Sequence, residues 1–352
     1  MTIKEYGYEY DAVLDKELWD ITRGKTTDQR LFDGAYCLRS GRDAIKAIAR
    51  EFKPCSVLLP ALACESMIRP FEQYGHKVKF YKLNEDYSIN INSLAFDTQQ
   101  TIFLYMNYFG LTAIDDTVLE HIRRENNVVF IEDRTHDLIW NKTSEFKPDY
   151  EMASLRKWIP IPDGGLLRGK ITKAFDNDTE FSTVRLKAQC MRHEYLCCGD
   201  ENIKTEFRKI FSTVSDIMDN DEPSAMSAYS YCIAKETDWQ KIQSIRSQNA
   251  KTLIDILSGT PYVSFIQDKP GKSDLYVAFK VQNRDEVQRR LSIKGIFNTV
   301  IWPLNDIQKE TCGVAKSTVD NMLAAPCDQR YASEDMIKIG NEIVRTAADV
   351  NR

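Results

Sequence analysis

Residues 128–169 read VVFIEDRTHDLIWNKTSEFKPDYEMASLRKWIPIPDGGLLRG, and they are the most informative part of the sequence for the fold. An apolar, strand-like run at 128–131 delivers two carboxylates, Glu132 and Asp133, at its end. Lys157 follows after a polar loop, ahead of a Pro-Asp-Gly-Gly turn and a second apolar run. The stretch therefore predicts a strand that ends in a carboxylate and a lysine at the entrance to a hairpin.

Strands and helices alternate in the sequence that precedes this stretch. Apolar runs predict strands at 56–60, 77–83 and 101–110, and helical spacing predicts helices at 44–52 and 117–126. This alternation predicts βαβ units in a mainly parallel sheet, which makes the chain an α/β protein. Ligands of such sheets bind at the carboxyl ends of the strands. We therefore expect the site at that edge.

The remaining sequence predicts a division into an arm and two domains. Residues 1–33 read as an N-terminal arm with a short helix near Asp15–Thr22, and residues 34–250 as the large domain. Helical spacing continues at 207–218 and 224–257. Residues 251–352 read as a small α+β domain with strands at 274–281 and 297–304 and helices at 284–295 and 333–350.

The composition excludes several classes of partner. Of 352 residues, 43% are hydrophobic and 28% charged, as in ordinary globular proteins. No apolar run approaches the roughly 18 residues that a membrane span needs, and the first residues lack a signal-like apolar stretch. The net charge of −5 gives no general attraction to nucleic acid. We therefore expect neither a membrane nor a nucleic acid as a partner.

Nine cysteines are scattered along the chain. An odd number, without a signal-like start, indicates reduced thiols and a cytoplasmic location. His193 lies four residues before Cys197, a helical spacing that suits a shared metal ion, but no second pair of this kind occurs. We therefore predict no metal site and interpret the cysteines as small buried side chains.

Asp133 and Lys157 are the pair that a pyridoxal 5'-phosphate (PLP) enzyme needs. A carboxylate beside the pyridine nitrogen keeps it protonated, and a lysine amine forms a Schiff base with the aldehyde. Each residue also has a plain structural interpretation. An acidic residue after a strand often caps the next turn, and a lysine in this position is often only solvated.

Two serines complete the pattern. Ser40, Gly41 and Arg42 open a helix, where free N–H groups and the helix dipole bind phosphate, although an ordinary N-cap has the same sequence. Ser154 stands three residues before Lys157, within reach of a cofactor phosphate. The same spacing marks the nucleophile of penicillin-binding enzymes, but their companion motifs are missing here. The helix start at 40–42, Asp133 and Lys157 follow one another along the chain in the order that PLP binding requires.

With these residues in place, the chain resembles the fold type I PLP enzymes and, among them, the DegT/StrS sugar aminotransferases. The likeness is spread over most of the chain rather than confined to one motif. The similar segments are SGRDAIKAIA (40–49), LLPALACESMIRPFEQYGHKVKFYKL (58–83), IFLYMNYFG (102–110), FIEDRTHDL (130–138), SLRKWIPIPDGGLL (154–167) and AFKVQNRDEVQRRLSIKGIFNTVIWPL (278–304).

The resemblance implies a three-layer αβα sandwich with a mainly parallel seven-stranded sheet, a smaller C-terminal α+β domain, and a homodimer. It implies three catalytic residues: Lys157 as the Schiff-base lysine, Asp133 as the partner of the pyridine nitrogen, and His136 near the phenolic oxygen of the ring. Asn107 takes the place of a histidine in the family's strand. The cofactor-binding set that we expect is Ser40, Gly41, Arg42, Asn107, Asp133, His136, Ser154 and Lys157.

Three departures from the family pattern concern the cofactor ring and the substrate. Cys64 stands where the family carries an aromatic that stacks on the ring, which leaves Tyr105, Tyr108 or no residue for that role. Ser154 lies three residues before the lysine, where the family more often has a serine five residues before it. The family's G-x-N-x-R segment is replaced by RLKAQCMRHEYLCCGDEN at 185–202, so the sequence leaves the sugar substrate open.

The sequence thus predicts a PLP-dependent aminotransferase. Glutamate is the expected amino donor, and a nucleotide-linked keto-sugar of surface polysaccharide biosynthesis is the expected acceptor. Other PLP reactions remain open on the same scaffold: a lyase, a dehydratase or an acyl transfer. A third hypothesis is a non-catalytic relative that binds PLP or another ligand as a regulator, and the Asp133/Lys157 pair argues against it.

Overall fold

The computed structural model describes residues 3–12, 29–111, 114–139, 144–266 and 270–352. The short helix predicted near Asp15–Thr22 lies outside these ranges. Within them the chain builds two main sheets and the helices that pack on them.

Strands and helices alternate through the first half of the described chain, as the sequence predicts. The strands are β1 (Tyr6–Gly7), β2 (Tyr36–Leu38), β3 (Ser56–Pro60), β4 (Lys77–Tyr81), β5 (Thr101–Met106), β6 (Val128–Asp133), β7 (Tyr150–Ser154), β8 (Gly165–Arg168), β9 (Asp176–Asn177), β10 (Ser224–Ala225), β11 (Val263–Phe265), β12 (Tyr276–Val281), β13 (Ile296–Phe297) and β14 (Met322–Pro326). The α-helices are α1 (Gly41–Ala49), α2 (Glu65–Gln73), α3 (Asp116–Glu125), α4 (Thr179–Cys198), α5 (Glu201–Asn220), α6 (Ala228–Glu236), α7 (Trp239–Leu257), α8 (Arg284–Ile293), α9 (Asp306–Thr311), α10 (Gly313–Asn321) and α11 (Ser333–Asn351).

The larger sheet has the strand order β4-β3-β5-β6-β7-β8-β2-β10-β9. The neighbours from β4 to β7 are parallel, whereas β8 runs antiparallel to both β7 and β2. This confirms the predicted mainly parallel sheet. Within the described residues the sheet has nine strands where the resemblance implies seven, and two of the nine, β10 and β9, are edge additions of two residues each.

Helices cover both faces of this sheet. Strands β3 and β5 are buried along their whole length, and their residues are largely apolar. A parallel strand that is buried on both faces needs helices on both sides of the sheet. Helix α1 packs against β7 and β8, and α2 packs against β4. The carboxyl ends of β5, β6 and β7 are therefore left as the edge at which a ligand is able to enter.

The smaller sheet has the order β11-β12-β14 and is antiparallel. Val277, Phe279 and Val281 alternate along β12 and point into a second hydrophobic core that α7, α8 and α11 cover. Tyr6 joins this core because β1 pairs in parallel with β13. Part of the predicted N-terminal arm thus packs with C-terminal residues, and the domain limits at residues 33 and 250 stay a prediction.

Helices α4 and α5 form a hairpin that contains the divergent 185–202 segment. The far end of α5 reaches α1, where Arg42 Nη1 lies 2.8 Å from Asp219 Oδ1. Lys46 of α1 donates hydrogen bonds to the carbonyl oxygens of Met218 and Asp219, each at 3.0 Å. These contacts hold α1 against the end of α5 and engage the Arg42 guanidinium with Asp219.

The prediction of a strand at 297–304 is wrong over most of that range. Ile296–Phe297 forms a two-residue strand, and Thr299 makes one isolated bridge to Ala324. Trp302 then adopts a left-handed backbone conformation with φ of 36°, and Pro303 has no N–H to donate. The segment is therefore a loop, and it carries Trp302 to the carboxyl edge of the larger sheet.

Candidate active site

A cavity of about 120 Å³ lies at the carboxyl edge of the larger sheet. It collects residues from the start of α1 and from the ends of β5, β6 and β7. Six of the eight residues that the sequence predicts for cofactor binding line it, namely Gly41, Arg42, Asp133, His136, Ser154 and Lys157. Residues more than a hundred positions apart in sequence therefore meet in one place.

The start of α1 forms one side of the cavity. Ser40 is the N-cap of α1, and its hydroxyl accepts a hydrogen bond from Asp43 N at 3.1 Å. The Ser40 side chain is buried and is not among the residues that line the cavity. A Cβ on Gly41 would lie 3.2 Å from Met152 Cε and 3.4 Å from Ser154 Cβ, so a side chain there would crowd the wall. With the Arg42 guanidinium turned toward Asp219, the helix start can offer its main-chain N–H groups to an anion.

Asp133 ends β6 and is buried. Its Oδ1 accepts a hydrogen bond from Thr135 N at 2.8 Å. Burial raises the pKa of the Asp133 carboxyl, while hydrogen bonds from Thr135 and the positive charge of Lys157 act in the opposite direction. A fixed, buried carboxylate of this kind is suited to pair with a cationic ring nitrogen.

Thr135, which the sequence reasoning missed, holds this corner together. Its hydroxyl oxygen accepts a hydrogen bond from Ser154 N at 3.2 Å, and its carbonyl oxygen accepts one from Trp158 Nε1 at 2.9 Å. It thereby ties the end of β6 to the end of β7 and to the turn that carries Lys157. The only signal in the sequence is its place two residues after the strand-end carboxylate.

His136 presents a free donor to the cavity. Its Nδ1 accepts a hydrogen bond from Phe109 N at 3.2 Å, and burial lowers its pKa well below 6.5, with a smaller effect from the charge of Lys157. A neutral imidazole whose Nδ1 accepts must carry its proton on Nε2. Among the described residues Nε2 has no hydrogen-bond partner although it is buried. Nε2–H is therefore available to an acceptor atom of a ligand.

The pH dependence of folding should reveal this neutral imidazole. Because the folded pKa lies below 6.5, the unfolded chain binds more protons than the folded chain at acidic pH. His136 therefore makes the free energy of unfolding fall as the pH drops below about 6.5, by at most about 1.4 kcal/mol per pH unit. We expect urea unfolding of the cofactor-free His136→Asn variant to show a flatter acid-side slope than the wild type. The exposed His121→Asn is the control, and equal slopes for wild type and His136→Asn would contradict the assignment.

Lys157 lies in a short 3-10 turn, Leu155–Lys157, directly after β7. The Lys157 Nζ is 5.9 Å from the centroid of the Trp302 ring, and Lys157 has no ion-pair partner in the described part of the chain. Trp302 also stacks on His136, with ring centroids 5.6 Å apart and planes at 29°. Trp302 thus forms an aromatic wall beside the lysine and the imidazole, while Cys64 lines the same cavity.

Asn107 does not line the cavity. It follows β5, and its Nδ2 donates a hydrogen bond to Asp137 Oδ2 at 2.5 Å. Its Oδ1 accepts one from Ile114 N at 3.0 Å. The structure therefore gives Asn107 contacts that join β5 to the loop after β6, away from the predicted cofactor set.

The groups that line the cavity fit the functional groups of PLP. It combines the N-terminus of α1 for a phosphate, a buried carboxylate for the pyridine nitrogen, a free imidazole N–H for the phenolic oxygen, and a lysine amine for the aldehyde. Gly41 lets the start of α1 lie close to Met152 and Ser154 of β7, because a Cβ there would meet both side chains. These four groups face one volume.

A second cavity of about 340 Å³ adjoins the first at Arg156 and Lys157, which line both. Its walls carry aromatic and charged side chains from the N-terminal segment and from the smaller sheet, including Tyr8, Tyr10, Tyr276, Arg246 and Arg330. The lysine amine is thus reachable from two sides, one suited to a cofactor and the other to a substrate.

In the described ranges, no group of three or more histidine, cysteine or acidic side chains is arranged to hold a metal ion. His193 Nδ1 lies 3.2 Å from Asp11 Oδ2, and Cys197 Sγ lies 3.8 Å from His193 Nε2. No helix in these ranges has the length and apolar character needed to cross a membrane.

The chain is similar to known proteins in its structure. No family model and no curated protein sequence matches the chain. Helicobacter pylori PseC, an aminotransferase involved in the biosynthesis of pseudoaminic acid, matches 98% of this chain and 100% of its own length, with 14% identity and a TM-score of 0.67. The PLP form of the putative sugar aminotransferase Spr1654 from Streptococcus pneumoniae matches with the same identity and TM-score over 99% and 100%. A DegT/DnrJ/EryC1/StrS aminotransferase from Brucella abortus matches over 96% and 91%, with 15% identity and a TM-score of 0.61.

At these identities the likeness concerns the fold. The chain has the fold of the fold type I PLP enzymes, as the resemblance implies. Of the three similar structures, the one from Brucella abortus carries the name of the aminotransferase family that the sequence resembles. Spr1654 is known in both a PLP form and a PMP form.

Proposed function

We propose that this protein is a PLP-dependent aminotransferase of the DegT/DnrJ/EryC1/StrS type. One observation carries the proposal: the start of α1, Asp133, the free Nε2–H of His136 and the Lys157 amine all face one cavity at the carboxyl edge of the sheet. The neighbouring structures, which are aminotransferases, support the same class of reaction.

The roles of the residues follow from their chemistry. When bound, PLP supplies an electron-accepting ring and an aldehyde through which an amino group passes from donor to acceptor. Lys157 would hold the cofactor covalently between turnovers and, once displaced by a substrate amine, accept the proton from the substrate's α-carbon at Nζ. Asp133 would keep the pyridine nitrogen protonated, and His136 would donate from Nε2 to the phenolic oxygen.

The second cavity is the candidate substrate site, and its charges favour an anion. Arg330 is paired with Asp328 at 2.8 Å, and Glu9 is paired with Arg185 at 2.6 Å. Arg246 donates to Gln329 Oε1, to Tyr10 Oη and to main-chain oxygens, all of which are neutral acceptors. The cavity is lined by four cationic side chains and two carboxylates, Glu9 and Asp328, so its net charge is positive and favours an anionic substrate.

Two anionic substrates are consistent with this cavity. Glutamate is the proposed amino donor, and a nucleotide-linked keto-sugar is the proposed acceptor. The similarity to PseC, an aminotransferase of pseudoaminic acid biosynthesis, and to the putative sugar aminotransferase Spr1654 supports a sugar acceptor. A role in surface polysaccharide biosynthesis is part of the same proposal. We further propose that the protein is a homodimer, as the resemblance implies, and that it is cytoplasmic, as its cysteines indicate.

Spectroscopy of the purified protein tests the proposed function. We expect a yellow protein whose visible absorbance disappears with borohydride and leaves a reduced adduct that peptide mass spectrometry locates on Lys157. Glutamate should convert the spectrum to that of the pyridoxamine form. A colourless protein that ignores added PLP would refute cofactor binding. A protein that binds PLP but is converted by no amino acid would favour the lyase, dehydratase, acyl-transfer or regulator hypotheses over transamination.

A further inference from the structure

Arg156 lies at the junction of the two cavities. It immediately precedes Lys157 in the 3-10 turn after β7, and it lines both the smaller and the larger cavity. The sequence reasoning gave it no role in binding. Its position makes it able to reach a ligand in either volume.

The guanidinium of Arg156 lacks a counterion among the described residues. Nη2 donates to the thioether sulfur of Met218 at 3.4 Å, and Nε is buried without a hydrogen-bond partner. The neighbouring carboxylate of Glu9 is engaged by Arg185 at 2.6 Å. Burial and the repulsion of Arg185 lower the pKa of Arg156. A partly buried cation with these surroundings is stabilised by an anion brought in from outside.

The surroundings of Arg156 in the smaller cavity indicate which anion this is. Gly41 and Ser154 line the same cavity, and the N-terminus of α1 there attracts negative charge. Two nearby arginines are already engaged: Arg42 pairs with Asp219 at 2.8 Å, and Arg39 pairs with Asp43 at 2.8 Å. Arg156 is the guanidinium that remains for a phosphate at this helix start.

We infer that Arg156 binds the phosphate of PLP, together with the main-chain N–H groups at the start of α1. The inference rests on the proposed function, because it assigns a ligand to a cavity that the proposal gives to PLP. A guanidinium suits a phosphate because its N–H groups donate in parallel to two oxygens. Arg156 would also separate the two cavities electrostatically, with the phosphate on one side and the substrate on the other.

Comparing PLP with pyridoxal, which lacks the phosphate, tests the inference without measuring catalysis. Absorbance titration of cofactor-stripped protein should show that Arg156→Gln weakens PLP binding by about 10- to 100-fold. Pyridoxal binding should stay as in the wild type. Arg289→Gln, which removes an exposed guanidinium of α8, should leave both affinities unchanged.

The possible outcomes distinguish this inference from its competitors. Equal losses for PLP and pyridoxal would mean a structural role for Arg156 and would overturn the inference. Unchanged PLP affinity with a higher glutamate requirement would overturn it in favour of a substrate carboxylate. If Arg156→Gln does not fold, Arg156→Lys supplies the comparison, since an ammonium lacks the forked geometry and should bind PLP more weakly but pyridoxal equally. A wild type that binds neither compound would refute the proposed function itself.

Discussion

Lys157→Ala is expected to reduce the rate of amine transfer by at least about 10²–10⁴-fold, the contribution of a positioned general acid–base group. The variant loses both the covalent attachment of the cofactor and the amine that accepts the proton from the α-carbon. Its 3-10 turn should remain intact, because Trp158 Nε1 still donates to Thr135 O and Arg246 still packs on the Trp158 ring. Single-turnover conversion of the bound cofactor by glutamate is the measurement.

Two further variants define what this result means. Lys157→Arg keeps a positive charge at the junction of the cavities but is not expected to form the covalent attachment or to restore the rate. Lys170→Ala, an exposed lysine just beyond β8, should retain the wild-type rate and the borohydride adduct on Lys157. If borohydride reduction of wild-type protein labels a lysine other than Lys157, the assigned role is wrong.

Asp133→Asn carries the second large effect, a loss of about 10²–10³-fold in rate, as for other preorganised electrostatic contacts to a reacting group. The amide has nearly the same shape, and its oxygen can still accept the hydrogen bond that Thr135 N makes at 2.8 Å. What disappears is the negative charge that keeps the pyridine nitrogen protonated. We therefore expect PLP to bind with its covalent attachment intact while conversion by glutamate slows.

For Asp133→Asn, PLP affinity and the rate of conversion by glutamate should be measured separately and compared. Asp216→Asn, on the exposed side of α5, serves as the matched control and should leave both properties unchanged. A wild-type rate in Asp133→Asn would show that another group stabilises the ring nitrogen. A loss of PLP binding without a separate effect on rate would assign Asp133 a positioning role instead.

The elements that carry the site were predictable because their signals are local. The apolar run at 128–131 and its terminal carboxylates predict β6 and place Asp133 at the sheet edge. The Ser40–Asp43 cap predicts the start of α1, and the structure forms it with the hydroxyl of Ser40 accepting from Asp43 N. Once the sheet is parallel, these strand ends and the helix start must meet at one edge.

The direction of the Asn107 side chain is not predictable from local sequence patterns. Asn107 follows β5 as the sequence predicts, and a polar residue at such a strand end is a reasonable candidate for the site. Its partner, Asp137, comes 30 positions later in sequence, and the hydrogen bond between them takes Asn107 out of the cavity. The direction of a side chain at a strand end depends on such distant partners, which no local pattern encodes.

Local sequence patterns predict the α/β fold, the order of the helix start at 40–42, Asp133 and Lys157, and the element on which each of them lies. The rest of the cavity lining follows from tertiary contacts. Thr135 ties two strand ends together, and Trp302 lies on a loop where a strand was expected. Arg156 lines both cavities, and its buried Nε has no hydrogen-bond partner among the described residues. Periodicity and capping act over a few neighbouring residues, whereas hydrogen bonding, burial and charge balance depend on residues that only the completed fold brings into contact.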